Sequence, residues 1–178
     1  MSVLGQRLLA VHEALTRAQL PHAFGGAIAL AYCTEEPRGT RDLDVNIFSE
    51  PHNAAEVLRA LPDEVTVRPM DVEAARREGQ VRLWWEDTPI DVFLNVHELH
   101  EQFAGEVRWV SFEDHTIPVL GCTALIVFKA LFNRTKDWAD IEAIVESDAG
   151  DVPLAIQWLK GLLGPSDHIT QRLTSLVE

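Results

Sequence analysis

One short segment of alternating apolar and polar residues constrains this chain more than any other feature. We predict a β-strand from Leu43 to Phe48, because a period of two puts apolar side chains on one face of a strand. The apolar face consists of Leu43, Val45 and Ile47. The polar face consists of Asp42, Asp44 and Asn46. Two carboxylates two residues apart on one face repel each other unless a cation lies between them, so the segment predicts a cation site on a half-buried strand.

A glycine pair precedes this strand. Gly25 and Gly26 lie between a predicted strand, His22 to Phe24, and a predicted apolar helix, Ala27 to Tyr32. Glycine lets the backbone approach a phosphate closely, and a helix N-terminus offers free N–H donors and a favourable dipole. With the two aspartates, this order of elements predicts a site for Mg²⁺ (or Mn²⁺) and phosphate, since Mg²⁺ binds oxygen ligands. The alternatives are a plain turn and a solvated strand end.

Composition restricts the partners of such a site. The chain has 178 residues, of which 47% are hydrophobic, enough for the core of one ordinary domain. It has 28 acidic and 15 basic residues and a formal net charge of −13. Neutralising many phosphates requires clustered Lys and Arg, so the charge argues against a broad nucleic-acid surface. An acidic surface suits metal ions and cationic small molecules, although it leaves a local basic pocket possible.

The cysteines and the apolar runs predict a cytoplasmic protein. Cys33 and Cys122 lie in apolar stretches, so we expect two reduced core residues. We expect no signal peptide, because no charged segment followed by an apolar one stands at the N-terminus. The longest apolar run, Thr123 to Phe128, is far shorter than the ~20 residues of a membrane span, and we expect no membrane partner.

The order of predicted elements indicates an α+β fold. Residues 1–120 read as an α/β core that forms a small mixed sheet with flanking helices, and residues 121–178 read as a helical C-terminal part of the same single domain. The further strands are expected at Val65–Arg68, Gln80–Trp85, Ile90–Val96, Glu106–Val110 and Thr116–Val119. The helices are expected at Val3–Ala18, Asn53–Leu61, Asp71–Glu78, Cys122–Phe132, Asp137–Glu146, Pro153–Leu163 and Ser166–Val177.

A family resemblance rests on the residues just described. The glycine pair, followed by Arg38-Gly39-Thr40-Arg41-Asp42-Leu43-Asp44-Val45, resembles the signature of the nucleotidyltransferase (polymerase-beta-like) superfamily. The form Arg-x-Thr-x-Asp-x-Asp is most similar to the minimal AbiEii and MenT toxins. The resemblance implies a nucleotidyltransferase fold, a nucleoside triphosphate as substrate, metal-binding roles for Asp42 and Asp44, and a third carboxylate on a nearby strand. Asp91 matches that expectation; the alternative is a strand-edge charge.

Other residues resemble the part of AbiEii-type proteins that closes the nucleotide pocket. Lys129 interrupts the apolar run Phe128 to Phe132, which is unfavourable unless its ammonium reaches solvent or a phosphate. Lys136, Asp137 and Asp140 follow in a Lys-Asp-x-x-Asp pattern, for which the alternative is a surface ion pair between Lys136 and Asp140. Three residues beside the metal strand are predicted to meet the nucleotide, although the arginines fit a solvated loop equally well: Arg38, Thr40 and Arg41.

These expectations define an enzyme that moves a nucleoside monophosphate from a triphosphate to an acceptor. The resemblance favours RNA, at the tRNA 3′ end, or a protein, in a toxin–antitoxin system with a cognate antitoxin. The acidic composition departs from toxins that act on tRNA, and it favours the alternative of adenylylating a small molecule such as an aminoglycoside. A non-catalytic nucleotide-binding module is a third possibility. A basic groove leading to Asp42 would favour RNA, and an acidic cleft would favour a cationic small molecule.

Overall fold

A six-stranded mixed sheet forms the centre of the protein in the computed structural model, which describes residues 1–37 and 39–177. The order across the sheet is β3-β4-β2-β1-β6-β5. Strand β2 runs parallel to β4, β1 runs parallel to β6, and the remaining pairs are antiparallel. The strands are β1 (His22–Phe24), β2 (Leu43–Ile47), β3 (Gln80–Trp85), β4 (Thr88–Phe93), β5 (Val107–Phe112) and β6 (His115–Leu120).

Helices flank the sheet and make up the chain after residue 121. Helix α6 packs against α2, α7 and α8, and its central turns are almost wholly buried. The predicted α+β fold, with a small mixed sheet and C-terminal helices, is confirmed. The helices are α1 (Val3–Arg17), α2 (Gly26–Thr34), α3 (Ala54–Arg59), α4 (Pro69–Glu78), α5 (Leu99–Gly105), α6 (Cys122–Phe132), α7 (Thr135–Glu146), α8 (Val152–Leu163) and α9 (His168–Ser175), with a 3₁₀ turn at Pro51–Asn53.

A buried arginine fixes the turn between β3 and β4 to the first helix. Arg7 on α1 is 6% exposed. Its guanidinium forms ion pairs with Glu86 at 2.5 Å and Asp87 at 2.9 Å, and it also donates to the hydroxyl of Thr88. A guanidinium has several donors in a rigid plane, so this one side chain can bind three successive side chains of the turn. The hairpin that carries two of the site residues described below is thereby held at one end.

One predicted strand is absent, and one helix was not predicted. Val65–Arg68 is not a strand: only Thr66 pairs, in an isolated bridge to Trp84, because Arg68 already caps α4 and the segment has no room to continue. Helix α5 (Leu99–Gly105) forms in a segment to which the sequence analysis assigned no element. Among the described residues, no helix is both long enough and apolar enough to cross a membrane.

The predicted state of the cysteines is also wrong. Cys33 and Cys122 are buried as expected, but they form a disulfide that joins the last turn of α2 to the first residue of α6. The two positions are 89 residues apart in sequence, and no local pattern marks them as partners. The argument for a cytoplasmic protein that rested on two free thiols is therefore lost.

Candidate active site

Three carboxylates predicted from separate parts of the sequence meet on two neighbouring strands. Strands β2 and β4 are parallel, and Asp44 is the register partner of Asp91. Adjacent strands lie about 4.8 Å apart, so these residues are direct neighbours. Asp42 comes immediately before β2. The sheet therefore collects the three predicted acids on one edge of the polar face.

An arginine that the sequence analysis did not single out binds two of these acids. Arg82 on β3 is the cross-strand partner of Asp91. It donates from Nε to Oδ1 and from Nη2 to Oδ2, both at 2.7 Å, and Nη2 lies 3.7 Å from Oδ2 of Asp42. The hydrogen bonds to Asp91 raise the pKa of Arg82 above its usual range. The guanidinium of Arg82 thus lies between carboxylates that repel each other. The predicted pairing of β3 with β4 was the sequence feature that could have identified Arg82 as a neighbour of Asp91.

The glycine pair, Gly25 and Gly26, lies directly against Asp44. Gly25 N donates to the carbonyl oxygen of Asp44 at 2.8 Å. Gly26 has a φ of +51°, and a Cβ there would lie 1.9 Å from Oδ2 of Asp44. Only glycine lets the backbone approach a carboxylate so closely in this conformation. Helix α2 therefore begins directly beside Asp44.

Asp44 is partly buried, and its proton affinity is altered. Burial, and then the negative charge of Asp91, raise the pKa of Asp44 from 3.8 to about 6. Lys129, and more weakly Lys136, oppose that rise because they are positive and nearby. A carboxyl that is reluctant to ionise in a cleft is typical of functional sites, since a bound cation can offset the unfavourable charge.

The predicted cationic residues lie around the acids. Lys129 is 7% exposed, and its ammonium donates to Oδ2 of Asp140 at 2.6 Å and lies 3.9 Å from Oδ1 of Asp137. Asp140 thus contacts Lys129 inside the protein, whereas the alternative for it was a surface pair with Lys136. Arg134, a residue not chosen as a site residue, donates from Nε and Nη2 to both oxygens of Asp137. These contacts fix the first turn of α7 beside α6.

A cleft of about 220 Å³ brings most of the predicted residues together. Gly25 and Arg41 are not among its lining residues. The hydrogen bond from Arg7 is the main cause of the lowered pKa of Asp87, and the charge of Arg41 makes the smallest contribution to it. Arg38 lies outside the described residues. The polar lining consists of Gly26, Gly39, Thr40, Asp42, Asp44, Arg82, Asp91, Lys129, Arg134, Lys136, Asp137 and Asp140.

A second cavity, of about 330 Å³, adjoins the first. Both cavities are lined by Asp44, Asp91, Arg82, Phe132 and Arg134. The second cavity has a further acid at its edge, Glu78, the last residue of α4. One cavity thus contains Lys129 and Lys136, and the other contains Glu78, with Asp44 and Asp91 on the wall between them.

The carboxylates suit a hard divalent cation, although they do not form a complete cage. Among residues 1–37 and 39–177, no group of three or more His, Cys, Asp or Glu side chains is arranged to hold a metal ion. Mg²⁺ is commonly bound through one or two carboxylates and completes its shell with water and substrate phosphates. The adjacent pair Asp44 and Asp91, with Asp42 beside them and a guanidinium between two of the three, meets that requirement in ligand type and charge.

Replacing Lys129 with methionine tests whether this ammonium serves the cleft. We expect the affinity for a nucleoside triphosphate to fall ten-fold or more, because a charge-assisted hydrogen bond contributes about 1.5–3 kcal/mol. The buried contact with Asp140 means that stability should change as well. Removing one partner of a buried pair costs about 3 kcal/mol, so the free energy of unfolding should also fall. Calorimetry and urea denaturation measure the two effects.

Lys160→Met is the matched control, because Lys160 is exposed on α8, outside the cleft. It should change neither quantity. If Lys129→Met lowers the melting temperature but leaves triphosphate affinity unchanged, Lys129 is a structural residue. The double variant Lys129→Met/Asp140→Asn then isolates the ion pair, since it should recover part of the lost stability without recovering affinity.

Comparison with known proteins identifies the fold. No family model and no curated protein matches the sequence. Among solved structures, the antibiotic-resistance factor ANT(2″)-Ia matches with a TM-score of 0.62 and 11% identity over 97% of this chain and 94% of its own. The lincosamide antibiotic adenylyltransferase LnuA, in its lincomycin-bound form, matches with a TM-score of 0.53 and 14% identity over 78% of this chain and 94% of its own. An antigenic nucleotidyltransferase-like protein from Paracoccidioides brasiliensis matches with a TM-score of 0.56 and 15% identity over 98% of this chain and 88% of its own.

These likenesses show that the chain has the fold of nucleotidyltransferases. The match to ANT(2″)-Ia extends over nearly the whole of both chains, so the C-terminal helices are included in the shared fold. At such identities the comparisons speak to the fold and not to the substrate. The expected fold is therefore confirmed, whereas the finer likeness to AbiEii and MenT toxins is not shown.

Proposed function

We propose that this protein transfers a nucleoside monophosphate from a nucleoside triphosphate to a hydroxyl group of a small cationic molecule. The observation that carries the proposal is the wall formed by Asp44 and Asp91, in register, between two cavities, of which only one contains lysines and only the other contains Glu78. The cavity with Lys129 and Lys136 suits a polyanion, and the cavity with Glu78 suits a cation. Nucleotidyl transfer needs such an arrangement, because the reacting phosphorus lies between the two substrates.

The triphosphate would bind in the lysine cavity. Lys129, Lys136 and Arg134 supply positive charge, and the N-terminus of α2 at Gly26 supplies free N–H groups. Thr40 lies at the edge of the same cavity, where its hydroxyl already contacts the backbone of Asp42. Arg41 does not line this cavity, so its predicted contact with the nucleotide is not part of this proposal. Asp140 would orient Lys129 through the 2.6 Å hydrogen bond.

Asp42, Asp44 and Asp91 would hold Mg²⁺ or Mn²⁺ together with the phosphates. The bound cation would neutralise the triphosphate and the negative charge that builds up on the oxygens of the reacting phosphoryl group. Arg82 balances the same carboxylates in the free protein, so it lowers their mutual repulsion before substrates bind. Because Asp44 is partly buried, water has limited access to its carboxylate, and charge interactions there are stronger than in bulk solvent.

The reaction forms one bond and breaks one bond. The oxygen of the acceptor hydroxyl attacks the α-phosphorus of the triphosphate, and the bond from that phosphorus to the bridging α–β oxygen breaks. Pyrophosphate leaves with the bonding electrons. Asp91 accepts the proton of the hydroxyl, since it lies on the wall that both cavities share and hydrogen-bond reach is the requirement for a general base. The acceptor leaves as a phosphodiester of the nucleotide.

The charge of the acceptor cavity favours a small molecule over RNA. Three acids and two arginines line it, whereas an RNA-binding groove needs an excess of Lys and Arg. Two of the structural neighbours are named for antibiotics, which supports an acceptor of that size. An RNA or protein acceptor and a cognate antitoxin remain predictions from the family resemblance alone. Cytoplasmic localisation also stays a prediction, and the disulfide removes one of its arguments.

The test is transfer from each of the four α-labelled nucleoside triphosphates. We expect labelled product with amine-containing sugars such as tobramycin and none with total tRNA. We also expect Mg²⁺ or Mn²⁺ to be required, because the proposed ligands are hard oxygen donors. Zinc should not be structural, because the sequence has no Cys/His set with tetrahedral-site spacing. Labelling of tRNA but not of small amines would contradict the choice of acceptor, and full activity after exhaustive chelation would contradict the metal assignment.

A further inference from the structure

A third, apolar cavity continues from the acceptor cavity, and nothing above uses it. It has a volume of about 140 Å³, and it shares four lining residues with the acceptor cavity. The shared residues are Glu78, Gln80, Phe93 and Phe132. Because Phe93 follows Asp91 by two residues on β4, both lie on the same face of the strand, about 7 Å apart along it. We call this cavity the aromatic bay.

Three phenylalanines form the wall of the aromatic bay. The rings of Phe93, Phe128 and Phe132 contact one another edge to face, with centroids 5.0 to 5.7 Å apart. Such contacts hold rings in fixed orientations, so the wall is formed before a ligand arrives. Val96, which is 53% exposed, lies at the rim. A pocket of this size and lining suits a benzene-sized apolar group, as an apolar cavity of about 150 Å³ does in a well-studied protein.

The inner end of the aromatic bay is polar but uncharged at neutral pH. His97 and His100 line it, with ring centroids 4.5 Å apart. Burial lowers the pKa of His97, and it lowers the pKa of His100 to about 4. Within the described part of the chain, Nδ1 of His97 is buried without a hydrogen-bond partner. Apolar walls with one or two polar atoms are typical of small-molecule sites.

The charge at the mouth of the bay is negative. Glu78 lies where the bay joins the acceptor cavity, and its side chain is 48% exposed. Its partner Arg77 is 74% exposed, and their ion pair at 2.5 Å lies on the surface. Surface pairs contribute little, so a ligand cation can compete for Glu78. Moving inward from Asp91, a ligand therefore meets an acid, then an aromatic wall.

We propose that the acceptor is an amphiphilic amino alcohol, and that the aromatic bay binds its apolar substituent. This inference rests on the proposed function, because it assigns the reacting hydroxyl to Asp91. The amine lies at Glu78 and the apolar group contacts Phe93 and Phe132. Such an acceptor differs from a purely polar polyamine sugar, which would leave the bay unfilled.

The test compares three probes that share a glucose ring. Glucosamine has the amine alone, benzyl glucoside has the apolar group alone, and N-benzylglucosamine has both. Calorimetry on the protein without nucleotide should give N-benzylglucosamine a dissociation constant at least ten-fold below that of either other probe, as expected for burial of a phenyl group beside a satisfied charge. Equal constants for N-benzylglucosamine and glucosamine would overturn the proposal.

Two pairs of variants locate the effect. Val96→Glu places a charge at the rim of the bay and should remove the benzyl advantage. Met70→Glu, at a position on α4 that is 64% exposed and outside the bay, should keep it. Glu78→Gln should remove the tighter binding of N-benzylglucosamine relative to benzyl glucoside, which lacks the amine. Glu73→Gln on the same helix should not remove it. A benzyl advantage that survives Val96→Glu would place the phenyl group elsewhere and overturn the assignment.

Labelled transfer separates this inference from the proposed function. A benzyl advantage that depends on Val96, together with no nucleotide transfer to any probe, supports the bay and contradicts the proposed function. Transfer to glucosamine without any benzyl advantage supports the function and overturns the bay.

Discussion

Replacing Asp44 with asparagine is expected to lower the rate of nucleotidyl transfer by roughly 10³-fold or more. Asp44 lies on β2 beside Gly26, the first residue of α2, and it is the register partner of Asp91. Asparagine keeps the shape of the side chain but removes the charge that a metal-bound triphosphate requires. The rate with saturating triphosphate and Mg²⁺ measures the effect.

The same substitution should stabilise the metal-free protein at high pH. Because the folded pKa of Asp44 is about 6 and its ordinary value is 3.8, the folded state disfavours the charged form. The wild type therefore loses stability as the pH rises from about 4 through about 6, and the loss reaches about 3 kcal/mol. The variant has no carboxyl to ionise there. Its advantage should be absent below pH 4 and complete above pH 7, as measured by urea denaturation with EDTA.

Asp63→Asn is the matched control, because Asp63 is exposed in a loop outside both cavities. It should change neither the transfer rate nor the pH dependence. An active Asp44→Asn enzyme would contradict the metal assignment. A variant that is inactive and also less stable at pH 8 would mean that Asp44 supports the fold, and that its loss of activity does not identify a ligand.

The sequence predicted the acids of the site because local pattern fixes them. The alternation from Leu43 to Phe48 determines which side chains share the polar face of β2, and β2 lies where it was expected. A lone acid in an apolar strand, Asp91, was the expected partner, and the parallel pairing of β2 with β4 brings it to Asp44. Periodicity is a short-range property that one sequence suffices to show, whereas the pairing of β2 with β4 joins distant segments, and Asp91 was expected there only from the family resemblance.

The contacts between distant segments were not predictable in the same way. Arg82 binds Asp91 because β3 and β4 pair in a register that places the two residues opposite each other. The sequence predicts the two strands, but nothing in it marks this pair as functional. Lys129 was expected to reach the cleft, yet its hydrogen bond to Asp140 depends on how α6 and α7 pack together. The aromatic bay depends on Phe93 and Phe128, which come from a strand and a helix and look like ordinary core residues in the sequence.

Breaking the disulfide between Cys33 and Cys122 is expected to have the largest effect on stability. Loop-closure entropy grows with the length of chain that a bond closes, and these cysteines are 89 residues apart. For a loop of that length, the entropy model gives about 4–5 kcal/mol. For a chain of this size, such a loss lowers the melting temperature by about 10–15 °C. Thermal unfolding of the double variant Cys33→Ala/Cys122→Ala measures it.

The bond also joins two of the helices that line the cleft. Helix α2 begins at the glycine pair, and α6 carries Lys129, so a loosened connection should weaken triphosphate binding as well as lower stability. Treating the wild type with a phosphine reductant should reproduce the melting temperature of the double variant, and the variant itself should not respond to the reductant. Unfolding at one temperature in the presence and absence of reductant, or two thiols that alkylate in the untreated unfolded protein, would contradict the disulfide and return these cysteines to the reduced state expected from the sequence.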